Sequence, residues 1–246
     1  MHVLVTRPIE DAEPFKSRIE EFGYRVSLAP LIEIVPNAIP EEILEGATAL
    51  IATSRNALAA LSASPVLPSA IKTAIYVVGP GTAAMARNMG FKEVIEGAGA
   101  AADLATIVVS DGWGAESRLI YLRGDVVAFD LEGVLANAGM NVTLVMAYRS
   151  VAAETLPSDV IKALQTGSID AVTLMSPRTA ETWARLVALL SPPVQLSGVS
   201  YLCLSERVAE ALGRPGKADK VAVASHPNLE EMLALVKRLA ANSKAE

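Results

Sequence analysis

Residues 3–34 read VLVTRPIEDAEPFKSRIEEFGYRVSLAPLIEI, and residues 120–150 read IYLRGDVVAFDLEGVLANAGMNVTLVMAYRS. A shift of 116 positions (7 to 123) lays Arg7 on Arg123, Gly23 on Gly139 and Val26 on Val142. Each stretch opens as a short apolar strand, continues with apolar residues at helical spacing, stops at a glycine and resumes as a strand. A second pair follows the same logic. ALIATSRNALAAL (49–61) and AVTLMSPRTAETWARL (171–186) align Ser54 with Ser176, and each leads into a strand–turn–helix, YVVGPGTAAMA (76–86) and YLCLSERVAEA (201–211). The chain reads as two copies of one α/β unit.

Working outward, the spacing predicts strands over 2–5, 24–28, 49–52, 74–78, 119–122, 141–147, 171–174, 199–204 and 221–224. It predicts helices over 10–22, 55–61, 81–89, 130–138, 179–190, 207–212 and 229–240. Strands that alternate with helices imply a parallel sheet covered on both faces. Two extended segments, Pro30–Asn37 and Val145–Val151, have the character of linkers. If the copies are tandem, one break separates them. If the two segments pair, the lobes are residues 1–30 with 152–246, and 38–144, joined through 31–37 and 145–151. The pattern alone leaves both arrangements open.

Apolar residues make up 52% of the 246, enough for a substantial core, and the formal net charge of −6 argues against nonspecific nucleic-acid binding. The single cysteine, Cys203, permits no internal disulfide and suits a reducing, cytoplasmic setting. Two histidines, His2 and His226, without a cysteine cluster exclude a conventional zinc site, and no metal is expected. No stretch of about 18 apolar residues suggests a membrane span. The start, MHVLVTRPIEDAE, reads as a strand entering a helix rather than a signal peptide, and disorder is expected only in the tail 241–246.

In parallel sheets ligands bind beyond the carboxyl ends of the strands, where helix N-termini also point. The residues there are Thr6-Arg7-Pro8, Thr53-Ser54-Arg55-Asn56, Gly79-Pro80-Gly81-Thr82, Arg123-Gly124-Asp125, Ser176-Pro177-Arg178-Thr179, Ser205-Glu206-Arg207 and Ser225-His226-Pro227-Asn228. Ser, Thr and Asn there serve equally as helix caps. Arginine, however, is disfavoured at a helix N-terminus, and its recurrence points to an anionic ligand held by guanidinium groups, hydroxyls and backbone N–H groups. Candidate binding residues are therefore Arg7, Thr53, Ser54, Arg55, Gly79, Thr82, Arg123, Ser176, Arg178 and Ser205. Gly79–Ala84 also satisfies G-x-G-x-x-A, with Glu96 downstream, which leaves nucleotide binding as an alternative. His226 reads as an acid–base group or a loop residue beside a cap. Cys203, inside an apolar strand, is expected to be buried and inert. Tyr148, in the second linker, is either packing or a phenol that donates a proton or hydrogen bond to a leaving group.

The ordered set VLVTRP, PLIEI, LIATSRNAL, YVVGPGTA with GF after it, IYLRGD, AGMNV, AYRSV, LMSPRTAE and SHPNLEEML resembles the uroporphyrinogen-III synthase family over nearly the whole chain. The resemblance implies an α/β fold of two similar flavodoxin-like lobes, joined by a two-stranded β-ladder hinge, with the active-site cleft between them. It implies closure of hydroxymethylbilane, a linear tetrapyrrole polycarboxylate, to uroporphyrinogen III, with loss of water and inversion of the last ring. No cofactor is implied. The family's cleft tyrosine corresponds to Tyr148, and its hydroxyl and backbone ligands to Thr53, Ser54, Gly79, Thr82 and Ser176. The chain departs from the family at Leu204-Ser205-Glu206-Arg207-Val208, where the hydroxyl matching Thr82 is replaced by Val208 and Ser205 or Arg207 would substitute. A monomer without nucleic-acid or membrane partners is expected. The competing expectation is a non-catalytic two-lobed binder of small anions, which the same fold would serve.

Overall fold

The computed structural model describes residues 1–114, 116–213 and 220–242, so tail positions 243–246 lie outside the described residues. In chain order the elements begin with β1 (His2–Val5), α1 (Ile9–Glu20), β2 (Arg25–Leu28), β3 (Ile32–Pro36), β4 (Ala49–Ala52), α2 (Arg55–Ser62) and α3 (Leu67–Ala70). There follow β5 (Ala74–Val77), α4 (Pro80–Met89), β6 (Val94–Glu96), α5 (Ala101–Ser110), β7 (Arg118–Gly124), α6 (Leu131–Asn137) and β8 (Asn141–Ala152). The last are α7 (Ser158–Gln165), β9 (Ala171–Leu174), α8 (Pro177–Ala188), β10 (Ser200–Cys203), α9 (Glu206–Leu212), β11 (Val221–Val223) and α10 (Leu229–Asn242). Contacts divide the chain into two compact units. Unit 1 is Met1–Glu33 with Val151–Glu246, and unit 2 is Ile34–Ser150.

Unit 1 holds a five-stranded parallel sheet in the order β2-β1-β9-β10-β11. All four residues of β1, β9 and β10 are buried, which is why these strands are almost continuously apolar. One face packs against α7, α8 and α9 through Val160, Trp183, Leu186 and Val208. The other packs against α1 and α10 through Phe15, Ile19, Met232 and Val236.

Unit 2 holds β8-β7-β4-β5-β6, again parallel, with β3 added beside β8. Leu58, Leu61, Ala83 and Ala86 of α2 and α4 fill one face, and Leu104, Val108, Leu131 and Leu135 of α5 and α6 fill the other. Matching β1 to β7, β2 to β8, β9 to β4, β10 to β5 and β11 to β6 makes the two strand orders identical. The registers match as well. Val3 pairs with Val26 and Ala171, and Leu119, its counterpart, pairs with Val142 and Ala49. Gly23 and Gly139 stop the equivalent helices at φ 78° and 79°, a left-handed conformation that glycine takes without strain.

The flavodoxin-like order 2-1-3-4-5 is therefore read directly along the chain only in unit 1. Unit 2 is entered at the strand equivalent to unit 1's β9, so its sheet numbered along the chain, leaving out β3, reads 3-2-1-4-5 although the strands lie as they do in unit 1. β3 runs antiparallel to β8. Asn37 N–H donates to Ala147 O at 2.8 Å, and Ala153 N–H donates to Leu31 O at 2.9 Å. A shift of 116 turns one of these bonds into the other.

Some boundaries differ from the sequence reading for local reasons. α4 and α8 begin at Pro80 and Pro177 rather than at Gly81 and Thr179, because proline suits the first helical position, where its missing N–H costs nothing. Helices α5 and α7 and strand β6 were not predicted. α5 (AADLATIVVS) follows Ala100, which offers no side-chain cap, and α7 has only eight residues, too few to be stable without the burial of Val160, Ala163 and Leu164.

Candidate active site

Within unit 2, the chain leaves β4 toward β5 and leaves β7 toward β8, in opposite directions across the sheet. The loops after β4 and β7 consequently diverge, and such switch points are where open α/β sheets hold ligands. A cavity of about 220 Å³ opens there, lined by Thr53, Ser54, Tyr121, Gly124 and Tyr148, with the apolar loop 126–129 over it.

Each polar group is positioned by its element. Ser54 precedes α2 in extended conformation, and its hydroxyl accepts from Asn56 N–H at 3.1 Å, a conventional helix cap. The Thr53 hydroxyl lies 3.0 Å from the Tyr121 hydroxyl. Burial pushes the Tyr121 phenol above its ordinary pKa, opposed by the Thr53 hydrogen bond and by Arg123 and reinforced by Tyr148. Tyr121 is thus a protonated, buried donor at neutral pH.

Tyr148 is placed by a bulge. Pairing along β7 and β8 runs Arg123 with Met146, then Gly124 with Tyr148, so Ala147 is an extra residue. Met146 faces out, whereas the consecutive Ala147 and Tyr148 both face in. A bulge re-aims the tyrosine inward, and only 8% of it is exposed. It lies in a strand, not in an open connection. Its ring rests on Gly124, where an added Cβ would stand 2.6 Å from Cζ and 2.8 Å from the hydroxyl oxygen. Beyond the bulge, Asp125 Oδ1 accepts from Ser150 N–H at 2.9 Å, and Asp125 N–H donates to Tyr148 O at 3.2 Å.

Of the other candidates in unit 2, Arg55 is exposed at the start of α2, and Arg123 lies 3.9 Å from Glu132 and donates its Nε–H to Gly124 O at 3.1 Å. Gly79 caps α4, and a Cβ there would come within 3.0 Å of Gly99 Cα, so its bareness serves the packing of two backbone segments. Glu96 pairs with Arg87 at 3.2 Å. The close approach gives Gly79 a packing role, and the ion pair engages the carboxylate of Glu96. Thr82 is buried in α4 at 6% exposure. Arg55, Gly79, Thr82 and Arg123 are not among the residues that line the cavity, although Val78, next to Gly79, is.

In unit 1 the equivalent switch point lies between β1 and β9. The Thr6 hydroxyl, fully buried, donates to Thr173 O at 2.6 Å and ties the two strands together. Arg7 pairs with Asp11 at 3.0 Å. Ser176 caps α8 by accepting from Thr179 N–H at 3.1 Å, and its hydroxyl lies 2.7 Å from Thr179 Oγ1. Arg178 is half-buried in the first turn of α8, and Ser205 stands before α9 without a capping bond. Val208 is 1% exposed within the core, so this turn presents no hydroxyl where Thr82 sits in unit 2. The positions equivalent to Gly124 and Tyr148 are Pro8 and Ile32. His226 is exposed in the loop before α10. Cys203 is buried, and burial, with Glu206 nearby, pushes its thiol up to about 12, so it is unreactive.

Tyr121 and Gly124 are members of the cavity that sequence reasoning did not single out. Tyr121 sits among apolar residues in IYL and reads as core; its place two residues before the strand-end arginine is the available signal.

Residues 13–234 match the family described as Uroporphyrinogen-III synthase HemD. The chain belongs to the uroporphyrinogen-III synthase family. That membership assigns the chain to tetrapyrrole cyclisation and to the lyases. No curated protein sequence is significantly similar to it. The fold of this uroporphyrinogen-III synthase family member is also that of solved structures. The uroporphyrinogen-III synthetase from Helicobacter pylori is 18% identical with a TM-score of 0.67, over 97% of this chain and 100% of that one. A mutant uroporphyrinogen III synthase from the extremely thermophilic bacterium Thermus thermophilus is 19% identical with a TM-score of 0.54, over 98% and 99%.

Proposed function

We propose that the chain closes hydroxymethylbilane to uroporphyrinogen III, releasing water and inverting the last pyrrole ring, with Tyr148 as the proton donor. The family match, which spans both units, carries the reaction. The phenol-lined cavity at the β4/β7 switch point supports the choice of Tyr148. Free phenols titrate at about 10, so a tyrosine is suited to donate a proton at neutral pH. It protonates the hydroxymethyl oxygen, water leaves, and the resulting cation is attacked by the substituted carbon of the last ring to form a spiro intermediate. Fragmentation and closure the other way round follow, and the phenolate recovers the proton lost as the ring regains aromaticity. No cofactor is needed. The remaining catalysis is orientation, because the substrate also closes unaided to the uninverted isomer.

A cavity of about 220 Å³ is below the roughly 300–1,000 Å³ of pockets that enclose a drug-sized ligand, so it accepts one end of the tetrapyrrole. The carboxylates fall to the strand-end groups Arg7, Thr53, Ser54, Arg55, Gly79, Thr82, Arg123, Ser176, Arg178 and Ser205, local cations and hydrogen-bond donors on a protein of net charge −6. In this reading, lobes 1–30 with 152–246, and 38–144, close over the substrate on a hinge made by 31–37 and 145–151. The chain works as a monomer in the cytoplasm, a setting in keeping with its lone, unreactive cysteine; no helix of the described residues is long and apolar enough to cross a membrane.

The test supplies freshly generated hydroxymethylbilane with and without the protein, oxidises the products and separates the porphyrin isomers. Isomer III is expected only with the protein, and Tyr148→Phe should lower its rate by roughly 10²-fold, a typical contribution of general acid catalysis. Isomer I alone, at the uncatalysed rate, would overturn the proposal.

A further inference from the structure

We infer that Gly124 and Asp125 are positioning residues for Tyr148, one admitting its ring and the other locking the strand that carries it; this rests on the reading of Tyr148 as the donor. Glycine is used in proteins for two distinct reasons, backbone conformation and space. Eight glycines of the described residues have positive φ, and Gly124 is not one of them. Its backbone is open to any residue, so space decides. The three atoms nearest to an added Cβ, at 2.6, 2.7 and 2.8 Å, all belong to the Tyr148 ring and hydroxyl. Even alanine at 124 would push the phenol off its seat by more than half an ångström to restore contact at 3.4 Å.

Asp125 acts on the same side chain from the backbone. The bulge leaves Ala147 without a register partner on β7, so the β7–β8 ladder is interrupted next to Tyr148. Asp125 Oδ1 holds Ser150 N–H, two residues beyond the tyrosine, and also accepts from Val126 N–H at 3.0 Å. Asp125 N–H meanwhile holds Tyr148 O. The Gly124-Asp125 pair therefore grips Tyr148 at its ring, at its own carbonyl and two residues further on. The duplicate unit has Pro8 and Ile32 at the positions of Gly124 and Tyr148, so both halves of the ring-and-seat arrangement are absent together.

The experiment is a double-mutant cycle on the full chain, measuring kcat and KM for isomer III and the urea midpoint. Gly124→Ala should lower kcat by about the same factor as Tyr148→Phe, roughly 10²-fold, with KM little changed. In a Tyr148→Phe background, Gly124→Ala should cost less than about twofold further in kcat, because a ring without a hydroxyl has no donor left to misplace. The urea midpoint should fall in both backgrounds, since a phenyl ring meets the same added methyl. Asp125→Ala should lower kcat by roughly tenfold and Asp125→Asn should restore it, the amide oxygen accepting from Ser150 N–H as the carboxylate does. The Asp125→Ala/Tyr148→Phe pair gives the same reading where Gly124→Ala does not fold. Losses in kcat that multiply in the double variants, or Gly124→Ala and Asp125→Ala at the wild-type rate beside a slow Tyr148→Phe, would overturn the positioning role and leave the donor standing. A Tyr148→Phe protein that turns over at the wild-type rate would instead remove the donor and the positioning role with it.

Discussion

In unit 1 the Tyr201 hydroxyl and the Trp183 indole N–H are both enclosed, and neither has a hydrogen-bond partner among the described residues. Their rings meet edge to face at 6.4 Å, and the indole N–H is near enough to oppose the upward push of burial on the Tyr201 pKa without reaching hydrogen-bond geometry. A buried hydroxyl without a partner forfeits its hydration for nothing, so Tyr201→Phe should leave stability unchanged or raise it by up to about 1 kcal/mol, read from the urea midpoint. His2 gives a pH prediction. Its Nδ1–H donates to Ser168 O at 3.0 Å and its Nε2 accepts from the Ser27 hydroxyl at 2.8 Å, the pattern of a neutral ring. Burial and then Arg25 hold its pKa below the ordinary 6.5, with the Ser168 bond and Asp170 opposing and the N-terminal amine assisting. The unfolded chain therefore binds the proton more readily, and His2's contribution is present above pH 6.5 and lost as pH falls through the folded value. Urea midpoints between pH 7.5 and 5 should fall more for the wild type than for His2→Asn. At this scale the sequence was partly legible. Cys203 and Ser54 could be read from their neighbours. The seat of Tyr148 could not, because a bulge is one extra residue in a ladder and leaves no mark on apolar periodicity.

Among elements, α6 depends on its first turn. It has seven residues, and the Asp130 carboxylate accepts from Gly133 N–H at 2.9 Å. A helix so short has little intrinsic stability, so Asp130→Ala should cost about 1 kcal/mol in urea unfolding while leaving KM alone. The elements easiest to read were those with both a periodic pattern and a stop, such as α1 before Gly23 and α4 before Gly90. α7 was missed because tertiary burial, not propensity or capping, sustains it. β6 was missed because three residues, Val94–Glu96, are too few to show alternation. The strand-end rule found Thr53 and Ser54 because they follow β4 directly. It passed over Tyr121 because that side chain leaves the strand toward the α5 and α6 face, among core residues, and yet lines the cavity.

For the whole molecule, the repeat at a shift of 116 was legible because register-bearing residues such as Val26 and Val142 were kept, and the structure turns that repeat into two sheets of one strand order. The order in which the chain visits them was harder to read, since similarity between copies says nothing about where each copy is entered. Unit 2 is contiguous and has its own core clusters, so residues 34–150 expressed alone should show native-like far-UV circular dichroism and one cooperative urea transition; a disordered spectrum would contradict this. Contiguity also sets a timetable on the ribosome. Val3 of β1 pairs with Ala171 of β9, roughly 170 residues later in synthesis. At about 5–20 residues per second the first strand waits roughly 10–30 s for its central neighbour. Unit 2 is completed inside that interval, so the unit that holds β1 is still open when unit 2 is whole, and a chain that stalls after Ser150 presents one folded unit beside a β1-α1-β2 segment that lacks its central neighbour β9.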